Sequence, residues 1–366
     1  MKKVIHIVSN VSSSNGLEWM IEGVSSLYAC TVVLMNPSET PLELSLKEMK
    51  GVEVRRIKFR GKKDLIQVFL KMYVLLKATK PDIIHCHLYD ACLVGLTTSR
   101  LAGVKKRIYT RHYSNIHHQY HPKGVWFDKV FNCLASDIIA ISENVKQVLI
   151  KERARADKII HLPHGFKLEL FQKKLNVEAL KNKYKVGNNY PVVGAISRFV
   201  HLKGVAYIVE AFSLLLKEYP KAKLLLFNAV GPEKKKIMSM LSSMPDSAYE
   251  LVDFEGQIID VYHLLDVFVH VPIDKEVEAF GQTYVEALAA GTPAVFTMSG
   301  VAPDFVKDEE NAIVVDYKSS EQIYQGIRKI LENEDVRQRI VQQGPISVEQ
   351  FSLSKFLERL KEVYEK

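Results

Sequence analysis

Nothing in this chain of 366 residues approaches the ~18 consecutive apolar residues that a membrane-spanning helix requires. The opening segment, Met1 to Asn10, does not read as a secretory leader. Its apolar run is short, is interrupted by His6, and leads into the polar Ser12-Ser-Ser-Asn rather than a small-residue cleavage site. A cytoplasmic protein is expected, or one resting peripherally on the inner face of the membrane. Cysteine is scarce. Cys30, Cys86, Cys92 and Cys133 form no C-x-x-C pair and lie in or beside apolar runs, so buried, reduced thiols are expected. Low-complexity tracts and short repeats are also missing. No zinc-finger, helix-turn-helix or RNP-like pattern accompanies the net charge of +8, so nucleic acid is not an expected partner.

What is present is an ordinary globular composition, 47% hydrophobic and 25% charged, in a chain long enough for two domains. The charge is lopsided. Residues 1–165 hold 25 Lys and Arg against 14 Asp and Glu, a net +11, and the remainder carries −3. A basic first half suggests an anionic partner on that side.

Short β-branched runs alternate with longer amphipathic ones throughout. Strands are expected at Val4–Val8, Thr31–Met35, Val52–Ile57, Asp82–Cys86, Arg107–Thr110, Asp137–Ile141 and Ile159–Leu162. A second series follows at Val192–Ile196, Lys223–Asn228, Glu250–Phe254, Val267–Val271, Pro293–Thr297 and Ala312–Val315. Helical patterns such as Leu65–Lys77, Glu143–Lys151, Gly204–Lys217, Gln282–Ala290 and Glu321–Leu331 lie between them. This alternation predicts an α/β protein with two doubly wound, Rossmann-like parallel sheets. The expected division is a first domain over 1–170, a polar linker over 171–189, a second domain over 190–345, and a C-terminal helix over 346–366 that returns to the first domain.

The sharpest local feature is Glu278-Ala-Phe-Gly-Gln-Thr-Tyr-Val-Glu286, between an apolar strand and an Ala-rich helix. Phe280, Gly281, Gln282 and Thr283 fall at a helix N-terminus, where free N–H groups and the helix dipole suit a phosphate or sugar hydroxyls. Glu278 could face a sugar and Glu286 a ribose diol. Taken singly, Glu278 reads better as a helix cap and Glu286 as a solvated helix residue; the whole string is more specific. A second feature, Ser197-Arg198-Phe-Val-His-Leu-Lys203-Gly204, sets two cations five apart in a strand-to-helix loop, placed to hold one anion from two sides, although two loop cations on a basic protein are more often solvated surface charges.

The first string resembles the E-x7-E signature of family 4 glycosyltransferases of the GT-B fold, matching at Glu278, Phe280, Gly281, Glu286, Ala287, Ala289, Gly291 and Pro293. The second resembles that family's G-R-L-x3-K-G, with Ser197 in place of Gly. Further likenesses are Pro81–His87, Tyr109–His112, Asp137–Ser142, Leu162–Gly165 with Phe171, Phe254–Gly256, and Asp266. Departures include a glycine loop reduced to Ser12–Gly16, no G-x-G around Gly231, and His164, Lys167 and Gln282 in place of the usual residues.

The resemblance implies a retaining enzyme with its active site in a cleft between the domains. It takes a nucleotide-diphosphate-sugar donor and needs neither metal nor cofactor. Glu278 and His112 would meet the sugar, Arg198 and Lys203 the diphosphate, the turn at Phe280–Thr283 the sugar and phosphate, and Glu286 the ribose. Gly256 would also lie on the donor side. Asn15, Gly16 and His87 would face a glycan or lipid-linked acceptor, as in bacterial surface polysaccharide or glycolipid synthesis. The neighbouring His112, His117, His118 and His121, and the pair His85 and His87, lack the cysteine or carboxylate spacing of a zinc site. The rival readings are a nucleotide-sugar epimerase or hydrolase of the same shape and a non-catalytic nucleotide-sugar-binding subunit. Finally, Arg55-Arg-Ile-Lys-Phe-Arg-Gly-Lys-Lys63 and the amphipathic Leu65–Lys77 suggest attachment to an anionic membrane surface.

Overall fold

A computed structural model describes residues 1–173 and 176–366. The chain forms two compact units, Met1–Phe166 with Phe351–Lys366, and Lys167–Gln350. The first unit holds a seven-stranded parallel sheet of β1 (Lys3–Ser9), β2 (Ala29–Asn36), β3 (Val52–Lys58), β4 (Ile83–His87), β5 (Lys106–Arg111), β6 (Asp137–Ala140) and β7 (Ile159–His161), in the order β3-β2-β1-β4-β5-β6-β7. The second holds β8 (Val192–Ile196), β9 (Lys223–Phe227), β10 (Tyr249–Val252), β11 (Val267–His270), β12 (Ala294–Phe296) and β13 (Ile313–Val314), in the order β10-β9-β8-β11-β12-β13. Both orders are doubly wound. Each reverses direction beside its first strand, at β1/β4 and at β8/β11. That switch point opens a crevice at the carboxyl ends of the strands, where such sheets bind ligands.

The strands are apolar because helices cover both faces. β8, β9 and β11 are buried at every position. Val193, Leu226 and Val269 meet Phe212 and Ile327 from the covering helices in one core, and each such side chain contributes about 1.5–3 kcal/mol on burial. Among the described residues no helix is long and apolar enough to cross a membrane.

Two expectations need correction. The stretch read as a linker over 171–189 includes the two residues outside the description, but its remainder belongs to the second unit. Helix Val177–Lys183 buries Leu180, and Tyr184 and Val186 follow it into the core. The Tyr184 ring stands edge-on to Phe227 at 5.3 Å. The lysines and asparagines described in this segment lie on its outer face, exposed or half-buried. Cys133 is exposed, unlike the other three cysteines, because it lies on the outward face of helix Pro122–Leu134, whose inward face carries Phe131.

Candidate functional site

In the second unit the chemistry gathers where β8 and β11 end. The loop after β8 carries Arg198, then a short 3-10 turn over His201–Lys203 that ends at Gly204. Gly204 has φ 71°, and a Cβ there would stand 2.1 Å from the Val271 carbonyl oxygen. Only glycine permits that approach. Leu202 accepts a hydrogen bond of 3.1 Å from the Ile273 N–H, so this loop is tied to the segment that follows β11.

The consequence is that Lys203 reaches Glu278. Its ammonium is paired with Glu278 Oε1, and His270 Nε2, at the end of β11, lies 3.2 Å from the same oxygen. The Glu278 N–H donates to Ser299 Oγ at 3.2 Å. Glu278 is buried. Burial alone would raise its pKa, but His270 and the Lys203 ammonium outweigh that and hold it at about 2. The site therefore contains a desolvated carboxylate that stays ionised, with a cation beside it. Arg198 is exposed, and its guanidinium has no partner among the described residues.

Gly281, at φ 82°, precedes helix Gln282–Ala289; a Cβ there would lie 2.7 Å from the Tyr284 ring. The backbone N–H groups of Gln282 and Thr283 find no acceptor among the described residues. Thr283 Oγ1 is also buried without a partner. Two amides and a hydroxyl at the positive end of a helix are suited to phosphate or sugar oxygens. Phe280 is buried; its ring fills the core, and its carbonyl accepts from the Val301 N–H at 2.9 Å. Further along the helix, Glu286 Oε2 accepts a hydrogen bond of 2.5 Å from Tyr262, and burial raises its pKa. Gly256 lies exposed in the loop after β10, two residues beyond the exposed Phe254 ring.

In the first unit, Asn15 and Gly16 open helix Asn15–Ser25, which Ser14 caps by accepting from the Leu17 N–H at 3.3 Å. His112 follows β5. Its loop is anchored by Arg111, which is fully buried and lies 2.7 Å from Glu152, with Asp128 on its other side. His117 and His118 are held by those two carboxylates at 2.7 and 3.1 Å. His87, expected to face the acceptor, is buried with both ring nitrogens engaged. Nδ1 lies 3.2 Å from His112 Nε2, and Nε2 lies 3.2 Å from His6 Nδ1.

His6, His85 and His87 also form a group whose ring nitrogens fall within 4.8 Å of one another. Their nitrogens already pair with one another, Tyr364, Thr110 and His112. Neither His270 beside Glu278 nor His6 beside His87 was singled out in the sequence. The only available signal was position, since His270 sits at the carboxyl end of its strand and His6 lies in register with His85.

The model of Glycosyltransferase Family 4 matches residues 25–170, and that of Glycosyl transferases group 1 matches residues 176–346. The capsular polysaccharide biosynthesis glycosyltransferase CapM of Staphylococcus aureus is 28% identical over 82% of this chain and 80% of its own length. The alpha-monoglucosyldiacylglycerol synthase of Acholeplasma laidlawii is 25% identical over 94% of this chain and 89% of its own. Among solved structures, Anabaena Alr3699/HepE in complex with UDP-glucose superposes with a TM-score of 0.85 at 19% identity, covering 99% of both chains.

Proposed function

Because this chain belongs to the family 4 glycosyltransferases, with their GT-B fold, we propose that it moves a sugar from a nucleoside-diphosphate donor to a hydroxyl of a glycan or lipid-linked acceptor. The transfer retains anomeric configuration and uses no metal. The observation that carries this reading is the buried, ionised Glu278 held by Lys203 and His270, beside a helix terminus with unsatisfied donors.

In this mechanism the diphosphate lies against the Gln282 and Thr283 amides, with Arg198 and Lys203 neutralising the charge that develops as the sugar–phosphate bond breaks. These groups do the work of a divalent cation. The sugar becomes oxocarbenium-like. The acceptor hydroxyl attacks from the face the phosphate is leaving and gives its proton to a departing phosphate oxygen. Glu278 orients the sugar and stabilises its positive charge without bonding to it. Glu286 takes the ribose diol, and His112 meets a sugar oxygen. The names of the relatives, which concern a capsular polysaccharide and a glycolipid, support an acceptor of that kind and a place in bacterial surface polysaccharide or glycolipid synthesis. The test is mass spectrometry and melting of the protein with a panel of nucleotide sugars, UDP-sugars first. A true donor at ~100 times its dissociation constant adds about 2.7 kcal/mol of stability. A panel in which none stabilises the protein or is consumed overturns the reading.

The proposal extends to the membrane, with a change in which residues matter. The arginines of the basic segment are largely spent inside the first unit: Arg55 on Glu53 at 2.6 Å, Arg56 near Glu43 at 3.4 Å and Arg60 on Asp64 at 3.1 Å. β3 is the edge strand of its sheet, which explains why its charges face outward. The adjoining helix Leu65–Thr79 exposes Ile66 (79%), Leu70 (58%) and Val74 (65%). Four-residue spacing puts all three in one line. Lys62 and Lys63 precede that line, and Lys77 continues it. Each lysine near an anionic surface is worth about 1 kcal/mol. The protein is therefore expected to sediment with anionic but not neutral vesicles, to detach in high salt, and to lose binding as Leu70→Ser with Lys62→Ser and Lys63→Ser. Equal partition to both vesicle types, or to neither, contradicts attachment.

A further inference from the structure

The histidines buried in the first unit share one face of its sheet. His6 is in register with His85, and His87 with Thr110; His85 and His87 are two apart, so all four side chains point the same way. Helix Leu353–Glu365 brings Tyr364 onto that face, and the result is a single unbranched chain of contacts. Thr110 Oγ1 lies 2.8 Å from His85 Nε2, and His85 Nδ1 lies 2.7 Å from the Tyr364 hydroxyl. That hydroxyl is 3.4 Å from His6 Nε2. His6 Nδ1 is 3.2 Å from His87 Nε2, and His87 Nδ1 is 3.2 Å from His112 Nε2. The His112 ring stacks on His164 at 5.4 Å.

A neutral imidazole has one N–H and one lone pair, so the direction of one bond in such a chain sets all the others. Burial keeps these rings neutral: His6 and His112 are lowered to about 3, and His85 and His87 well below the ordinary value. The direction is decided at Thr110. Its hydroxyl is buried, and His85 is its only partner among the described residues. If it accepted from His85, its own proton would be left buried without an acceptor, a cost of about 1–3 kcal/mol. It therefore donates. His85 then donates from Nδ1 to Tyr364, Tyr364 to His6, His6 from Nδ1 to His87, and His87 from Nδ1 to His112 Nε2.

We propose that this relay fixes His112 as the Nδ1–H tautomer, a neutral hydrogen-bond donor aimed at a sugar oxygen, with Thr110, His85, Tyr364, His6 and His87 as positioning residues. The proposal rests on the reading that His112 meets the sugar. His112 Nδ1 has no partner among the described residues, so its proton is available to a ligand. Fixing the tautomer before the sugar arrives removes a rearrangement from the reaction, much as an outer partner orients a metal-binding histidine.

The test combines nitrogen-15 NMR of the histidine rings with kinetics. In the ligand-free wild type, His112 should show a protonated Nδ1 and an unprotonated Nε2. Thr110→Val removes the donor that sets the direction and should give mixed tautomers. Its turnover should fall at least about tenfold, the lower end of what loss of such an outer partner costs, with affinity for free nucleoside diphosphate unchanged. Thr110→Ser keeps the hydroxyl and should restore both tautomer and rate. Wild-type His112 protonated on Nε2 overturns the proposal, as does a Thr110→Val variant with a wild-type spectrum and rate. One equivalent of zinc retained through purification overturns it too, because a metal on His6, His85 and His87 would replace these bonds. A His112→Ala variant of normal activity would instead remove the role of His112 at the sugar and leave the tautomer result standing, so the two failures are distinguishable.

Discussion

Replacing Glu278 by Gln is expected to lower turnover by about 10²- to 10³-fold, the scale of deleting one preorganised electrostatic stabiliser, while affinity for free nucleoside diphosphate stays nearly unchanged. The substitution keeps the shape and removes the charge. Lys203 loses its ionic partner and His270 faces a neutral amide. Glu286→Gln should do the reverse, weakening nucleotide binding and sparing the chemical step, because Glu286 lies further along the helix with Tyr262 as its partner. Equal losses of nucleotide affinity in both variants, measured by calorimetry, contradict the separate roles. The pH dependence adds a control. The folded-state pKa of Glu278 is depressed, to about 2. Its ionised form, and the stability it contributes, are therefore present above the ordinary glutamate range and are lost only as pH falls through about 2. An acid limb of activity near neutrality must come from another group.

The second large effect concerns the two cations, and the structure separates them. Arg198→Ala and Lys203→Ala should each cost on the order of 10²-fold or more in turnover. Arg198 is exposed and unpaired among the described residues, so its loss should leave the melting temperature unchanged. Lys203 neutralises a buried carboxylate. Its removal should also destabilise the fold by about 2 kcal/mol, less than for a fully buried pair because the Lys203 side chain retains 27% exposure. Steady-state kinetics with a melting curve on each variant reads both quantities. Near-normal turnover in both removes the phosphate clamp; equal destabilisation removes the distinction between them.

The positions of the strands along the chain were legible in the sequence because buried parallel strands are written as mostly apolar runs, and those runs match the observed strands to within a few residues; their order within each sheet was not. The donor-side string from Glu278 to Glu286 was legible because a carboxylate, a Phe-Gly turn and an Ala-rich helix are contiguous. Contacts made across the fold were not. Lys203 and Glu278 are 75 residues apart, and Tyr364 and His6 are 358 apart. Each looks like an isolated residue until the parallel pairing of β8 with β11, or the return of the last helix, brings its partner. His87 was misjudged for the same reason: a histidine at a strand end reads as open to a ligand until its neighbours on the same sheet face are known. The stretch from Val177 to Val186 reads as a tether in the sequence because its polar residues outnumber the three apolar ones, Leu180, Tyr184 and Val186, that anchor it.

The most direct test of retaining, metal-free transfer is to follow the anomeric proton by NMR while the enzyme consumes donor and acceptor in excess EDTA. The expected result is release of nucleoside diphosphate together with a glycoside of the donor's own anomeric configuration, at a rate that added magnesium or manganese does not raise. A product of inverted configuration, free sugar formed in preference to glycoside, or turnover that returns only when a divalent cation is restored would contradict it.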